Sequence, residues 1–429
     1  MHYEKFQDGT VKCIEDEIPF ELPEGWSWAR LRDICMMSAG KSKSTVQIKS
    51  EPFEGSYPCF GGNGVRGYVD EYNQDGIFSI VGRQGALCGN INIAIGKFYA
   101  TEHAVVTTLF DGIDFKWSNY ILEALRLNNY ATGAAQPGLS VANILNVFVP
   151  VPPTQEQDRI GNNVYESLKI VEALEQEKID LQKNIITAKT KILNLAICGK
   201  LVPQDPNDEP ASVLLERIRA EKEELIKHEK IKRDKKESVI FKGDDNSYYG
   251  IHLPDSWNWA SLREIALSIS DGSHNPPPNN GSGIPLLSAA NINDNSILMN
   301  EISRWITNEE WKIENKRTNI EVGDVLLTIV GSIGRSAVVQ NNNHFALQRS
   351  VAVIKPCLIN PLYLMHIVQS PQIQKWLTDN SKGTAQKGIY LNALSLMIIP
   401  IPPLAEQARI VELIHIAYKQ LDLISNALL

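Results

Sequence analysis

The sequence predicts an α+β protein built twice, as two globular modules, each followed by a long helix. Three observations carry that expectation: a pair of motifs that recur in the same order, short β-type runs between them, and a helical pattern lacking the usual breakers for about forty residues.

The repeat is plain in the bare sequence. Leu22-Pro23-Glu24-Gly25-Trp26-Ser27-Trp28 returns as Leu253-Pro254-Asp255-Ser256-Trp257-Asn258-Trp259. Gly133-Ala134-Ala135-Gln136-Pro137-Gly138, followed by Val149-Pro150-Val151-Pro152-Pro153, returns as Gly383-Thr384-Ala385-Gln386-Lys387-Gly388 and Ile399-Pro400-Ile401-Pro402-Pro403. Each copy then continues Glu-Gln-x-x-Ile, at Glu156 to Ile160 and Glu406 to Ile410. The middles differ. One copy carries Cys59-Phe60-Gly61-Gly62-Asn63-Gly64-Val65-Arg66-Gly67; the other carries Asp271-Gly272-Ser273-His274-Asn275-Pro276 and Leu287-Ser288-Ala289-Ala290-Asn291-Ile292. A shared frame with different interiors suggests one fold set to two specificities.

Within each module, runs such as Ile77 to Val81 and Val325 to Val330 are bounded by Gly, Asn and Asp, so a curved, mostly antiparallel sheet with long loops is expected. Helices should be few, the clearest being Trp117 to Leu127 and Pro361 to Thr378. The tryptophan pairs at each module's start read as core anchors.

After Pro153, Thr154 and Gln157 make a capping box, and only Gly161 interrupts the pattern before Gly199 ends it. Its heptad positions are Val164, Val171, Lys178, Ile185 and Ile192, with Ser167, Leu174, Leu181, Ala188 and Leu195; the two polar exceptions are Lys178 and Ser167. Such a seam wants a partner helix. Ile410, Ile414, Ala417, Leu421, Ile424 and Leu428 supply a matching stripe, expected to cover the seam within the chain. At ~1.5 Å per residue the helix after the first module spans ~66 Å and the one after the other module ~37 Å, so the carboxyl-terminal helix is expected to be cut short. Domains are therefore expected at residues 1–153, 154–200, 201–252, 253–403 and 404–429. Of these, 201–252 is a linker carrying a charged, solvated helix from about Ala211 to Glu237.

Composition limits the function classes. No stretch of about 18 apolar residues is present, and Met1 to Thr10 lacks a signal-peptide run, so a cytoplasmic protein is expected. Six cysteines form no C-x-x-C pair and the eight histidines no paired-ligand spacing, which leaves metal chemistry without support. The formal net charge of -8 counts against nucleic acid. The modules themselves are balanced, however: 10 Lys/Arg against 11 Asp/Glu from Leu22 to Pro153, and 11 against 11 from Leu253 to Pro403. A positive face must come from segregating these charges or from partner chains.

Three motif matches fail on context. Gly62 to Gly67 fits G-x-G-x-x-G, but the following Tyr68-Val69 reads as strand, not helix. Gly40-Lys41-Ser42 ends like a phosphate loop, yet Cys35 replaces the first glycine. Asn275-Pro276-Pro277-Pro278 lacks the aromatic that adenine methyltransferases stack on a flipped base.

Two diverged modules opened by Leu-Pro-x-x-Trp-x-Trp, closed by Pro-x-Pro-Pro-x-x-Glu-Gln and followed by a long helix resemble the specificity subunit of type I restriction-modification systems. The resemblance covers nearly the whole chain. It implies two target recognition domains held apart by an antiparallel coiled coil, each reading one half of a bipartite, asymmetric double-stranded DNA site. It further implies no catalytic residue in this chain. Two modification (methyltransferase) subunits would methylate adenine and restriction (translocase/nuclease) subunits would cut. S-adenosylmethionine, ATP and Mg would then sit on the partners, with no cofactor or membrane contact here. In that family the later helix usually matches the earlier one in length, so another chain or the linker helix would complete the seam.

On that reading, base-edge contacts need bidentate groups on Gly-rich loops. The candidates are Asn63, Arg66, Arg83, Gln84 and His103 in the first module, and His274, Asn291, Ser332, Arg335, Gln348 and Arg349 in the second. Gln136, Lys382, Gln386 and Lys387 are weaker candidates, for phosphate contacts or for holding the loop. By sequence, Val81 to Gly85 aligns with Val330 to Gly334, and Ala100 to Val105 with Ala346 to Val351. Glu156, Gln157, Arg159, Glu406, Gln407 and Arg409 are expected on exposed helix faces that dock modification subunits. A coiled-coil scaffold whose modules bind proteins or glycans is the alternative.

Overall fold

The computed structural model describes residues 2–85, 87–133, 137–233, 247–383 and 387–428. These fall into two compact units, Met1–Glu177 and Lys178–Leu429, the boundary lying inside the first long helix.

In the first unit, Ser27–Arg30 pairs antiparallel with Phe148–Val151, Trp28 opposite Pro150, so the motif that opens the module is zipped to the motif that closes it. Proline tolerates this place because a two-stranded ladder leaves one edge free of donors. Between these ends lies a six-stranded sheet in the order Cys35–Ala39, Ala104–Leu109, Gln74–Gly82, Ile91–Ala100, Tyr57–Gly61, Gly64–Val69. All neighbours are antiparallel except Tyr57–Gly61 and Ile91–Ala100, which run parallel with Phe60 opposite Ala100. Phe115–Ala124 is the helix expected from Trp117, begun earlier because Asp114 caps it by accepting from the Trp117 amide at 2.8 Å. Leu31, Val81, Val105, Trp117, Leu122 and Val149 are buried in one cluster.

The second unit repeats the plan. Asn258–Ser261 pairs with Ile398–Ile401, Trp259 opposite Pro400. A four-stranded antiparallel sheet orders Ala266–Asp271, Val351–Pro356, Val325–Thr328 and Ser336–Val338. Ile284–Leu287 runs parallel to Ala346–Leu347, with Leu287 opposite Leu347. The expected single helix from Pro361 is two, Pro361–Val368 and Pro371–Asp379, because Pro371 bars a helical conformation at Ser370. Trp257 and Trp259 are core anchors, fully and nearly fully buried. Trp26 and Trp28 are half-buried, Trp28 packing on Phe20 and Phe148.

Thr154–Ile197 is one helix of 44 residues and Leu404–Ala427 one of 24. Within the second unit the two run antiparallel. Gln204, just past the first helix, donates to Glu406 at the start of the second, while Lys189 meets Tyr418 and Asp422 further along. Two expectations need correction. The seam is covered only towards its carboxyl end, where Ile185 is buried and Ala188, Ile192 and Leu195 are half-buried; Val171, Leu174 and Leu181 are exposed. The charged linker helix is not solvated. Ala211–Lys227 buries Ala211, Leu214, Leu215 and Ile218 in the same core as Trp257 and Leu262. Its Arg219 also pairs with Glu264 at 2.7 Å. These four apolar residues recur at helical spacing, and a Glu/Lys-rich opposite face hides them from a composition count.

Candidate nucleic-acid interface

The Glu-Gln pair that begins each long helix is a joint inside its unit. Gln157 accepts from the Asp114 amide at 2.9 Å and donates to the Pro152 carbonyl at 2.9 Å. Gln407 does the same with Asn360 (2.9 Å) and Pro402 (3.1 Å). Glu156 accepts from the Trp26 indole N–H at 3.2 Å, and Glu406 from that of Trp257 at 2.9 Å. The recurrence of Trp in the opening motif and Glu in the closing one thus has one cause: the two motifs bond each other. Burial pushes the Glu406 carboxyl upwards in pKa, against the lowering effect of the Trp257 and Gln204 donors. The docking expectation is corrected accordingly. Gln157, Glu406 and Gln407 are buried, Glu156 is half-buried, and Arg409 is paired with Asp208 at 2.5 Å; Arg159 alone of the six is exposed and outside this joint.

Backbone hydrogen bonds settle how the two modules correspond. Lys41 N–H donates to Ala100 and Ser273 N–H to Leu347; Gly40 donates to Ala104 and Gly272 to Val351. Thr101 donates to Phe60 and Gln348 to Leu287. Arg83 donates to His103 and Ile329 to Ser350; Leu139 donates to Arg83 and Ile389 to Ile329. Ala100 therefore matches Leu347, Glu102 matches Arg349, and Arg83 and Gln84 match Ile329 and Val330. This corrects the sequence alignment by one residue in one segment and three in the other. The frame is tight at Gly40 and Gly272, where a Cβ would lie 2.1 Å from the carbonyl oxygens of Ala100 and Leu347 respectively.

At the end of each sheet, beside this crossing, lies an open cavity. In the first module it measures about 540 Å³ and is lined by Asn63, Arg66, Gln84 and His103, with Gly61, Gly62 and Gly64 providing floor without side chains. Asn63 also accepts from Asn90 at 2.9 Å. Arg83, half-buried, is the one first-module candidate among the described residues that stands outside the lining. Next to His103, Glu102 has one buried carboxylate oxygen without a hydrogen-bond partner, as has His103 at Nδ1.

In the second module the cavity measures about 530 Å³ and gathers His274, Arg349 and Lys382 from the expected set. Lys382 is held by a reciprocal backbone pair with Gly388, the counterpart of Thr132 with Gly138, so the same pair brackets each closing motif. Gly331 donates to the Lys387 carbonyl at 3.1 Å. Gln136 and Gln386 lie outside the described residues. Asn291 is corrected: it is buried at 2% exposure, accepts from the Ser288 amide and donates to the Glu301 carbonyl at 2.9 Å, a cap enclosed within the module. Ser332 and Arg335 form the turn held by Thr328, and Gln348 is half-buried beside Leu287; none lines the cavity.

Four polar lining groups escaped the sequence reading: Asp271, Arg317, Tyr390 and Asn392. Asp271, 6% exposed, accepts from Arg317 Nη2 and lies 2.8 Å from His274 Nε2. Arg317 comes from the last turn of helix Asn308–Thr318, begun by a Thr307–Glu310 capping box. That helix sits in the stretch 288–324, where the first module has only 62–73 between matching strands. A helix inside an insertion offers no repeat signal, and Arg317 reads locally as a surface charge. With Arg317, Arg349 and Lys382 against Asp271, this cavity is net positive although its module is neutral. Among the described residues there is no group of three or more His, Cys, Asp and Glu that could hold a metal, and no helix long and apolar enough to cross a membrane.

Residues 23–192 and 254–428 each match the family described as "Type I restriction modification DNA specificity domain". The chain is 45% identical over 153 residues to the EcoprrI specificity subunit of Escherichia coli, a match spanning 34% of this chain and 36% of that one. It is 24% identical to the Escherichia coli EcoEI specificity subunit across 99% of this chain and 83% of that protein. Its fold is similar to that of an HsdS subunit from Thermoanaerobacter tengcongensis (TM-score 0.54, 17% identity, 95% and 93% of the chains). It is also similar to a chain in a structure of type I R-M complex assembly (TM-score 0.55, 17% identity, 96% and 94%).

Proposed function

Because the chain belongs to the type I restriction-modification DNA specificity family, we propose that each module reads one half of a bipartite, asymmetric double-stranded DNA site through its cavity. The long helices set the spacing of the halves and present surface, including Arg159, to two modification subunits. Restriction subunits complete the assembly. Catalysis belongs to the partners: S-adenosylmethionine serves the modification subunits, and ATP and Mg the restriction subunits. The complex works in the cytoplasm on DNA.

One observation carries this reading. The frame recurs between the copies down to single hydrogen bonds, while the groups that line the two cavities differ in kind. Gln84 lines the first cavity where Val330 lines the second, and Arg349, a donor for guanine, lines the second at the position that Glu102 holds in the first module, beside the lining residue His103. Two differently lined cavities on one frame suit an asymmetric sequence.

A mobility-shift series with the chain and its modification subunits tests it. Sequence-selective binding that weakens linearly with log salt supports the proposal. No binding even at low salt sinks it and leaves the scaffold for protein or glycan ligands.

A further inference from the structure

Resting on that reading, the geometry points to Arg317 as a specificity-determining residue of the second module, with Asp271 as the residue that positions it. The ligand chemistry is a base edge presenting two acceptors, as guanine does in the major groove.

Asp271 ends the strand Ala266–Asp271, next to the close crossing at Gly272, so its backbone cannot shift. Its carboxylate is nearly buried and divides its two oxygens between Arg317 and His274. A buried carboxylate is costly unless its acceptors are filled, which makes these two contacts mutually dependent. Arg317 is by contrast half-exposed, its guanidinium on the cavity wall with donors beyond the one Asp271 uses.

A phosphate oxygen is satisfied by a mobile cation, whereas a base edge is discriminated only by a fork held at a set angle. Fixing Arg317 through a buried partner suits the second task and is needless for the first. The first module lacks the device. Matching hydrogen bonds at Gly40 and Gly272 place Ala39 where Asp271 stands, and no helix lies between Val69 and Gln74 to supply an arginine. The device therefore acts on one half-site only.

The test uses the assembled complex, selected against DNA randomised in both half-sites. Arg317→Ala and Arg317→Lys are expected to lower discrimination at one base position, in one half, by roughly 5- to 150-fold, leaving the other half unchanged. Asp271→Asn is expected to weaken preference at that same position, with Arg317 intact. A uniform loss across all sequences in Arg317→Ala, with the log–log salt slope reduced by about one, would make Arg317 a phosphate contact and overturn the inference. Unchanged preference in a folded Asp271→Asn protein overturns the positioning role. Should that variant not fold, Arg317→Lys decides alone, since it keeps the charge and removes the fork. If the unsubstituted complex shows no preference in either half, the underlying proposal fails and this inference with it.

Discussion

Replacing Gln407 by alanine tests the internal joint directly. The Gln407 side chain is fully buried and serves two backbone groups, the half-buried Asn360 amide and the buried Pro402 carbonyl, which lose this partner once it is gone. Each buried group left unsatisfied costs about 1–3 kcal/mol, so the pair implies a loss of about 2–6 kcal/mol. For a unit of this size each kcal/mol lowers Tm by about 2–4 °C, so a fall on the order of 10 °C is expected. Gln407→Glu keeps the acceptor for Asn360 but turns a carboxylate towards the Pro402 carbonyl. Only the protonated carboxyl can donate there, so its folded pKa is raised and its deficit grows as pH climbs above about 4.3. Gln157→Ala should reproduce the alanine effect in the first unit, where Asp114 and Pro152 lose the same partners. Calorimetry or denaturant titration of the three variants checks this. If either alanine variant stays within about 0.5 kcal/mol of the parent, the joint is not structural and the reasoning fails.

Three further outcomes follow from other parts of the fold. Ile218→Ala on the linker helix, a fully buried site, should cost about 2–5 kcal/mol by chemical denaturation; a solvated helix would show almost no change. Gly272→Ala should fail to form the second module, read as loss of its cooperative transition, because the new Cβ meets backbone at 2.1 Å and has no side chain to displace. His366, buried against Tyr418 and near His415, is depressed from 6.5 to about 4 by desolvation. The unfolded chain therefore binds the extra proton first, and stability should fall as pH drops from about 6.5 towards 4, by an upper limit of about 3 kcal/mol. His366→Gln should flatten that part of the pH–stability curve.

What the sequence disclosed and what it hid divide along physical lines. Motifs whose residues bond each other, Trp with Glu and Gln with the Pro-Pro carbonyl, recur because neither partner can change alone, and the repeat was plain for that reason. The same motifs misled about exposure. Glu and Gln are read as surface residues by type, and nothing local says that Gln157 and Gln407 are enclosed by the Asp114 and Asn360 turns. The cavity residues on Gly-rich loops of the first module were found because glycine clusters mark close backbone approach. In the second module Asp271 and Arg317 are brought together across 46 residues by an inserted helix, which no local pattern announces. The offset in aligning Arg83 arose likewise: Val-Gly occurs in both copies, but Gly82 pairs with Ala104 as Thr328 pairs with Val351, so Gly82 corresponds to Thr328 and not to Gly331.

The central claim is that one frame carries two independent readers. Residues 22–153 should be exchanged for the matching module of another family member, keeping the second module and both helices. Methylated adenines are then mapped in cells that also carry the modification subunit. One half of the methylated sequence should change while the other half stays as in the parent. A change in both halves, or in neither, would contradict the account.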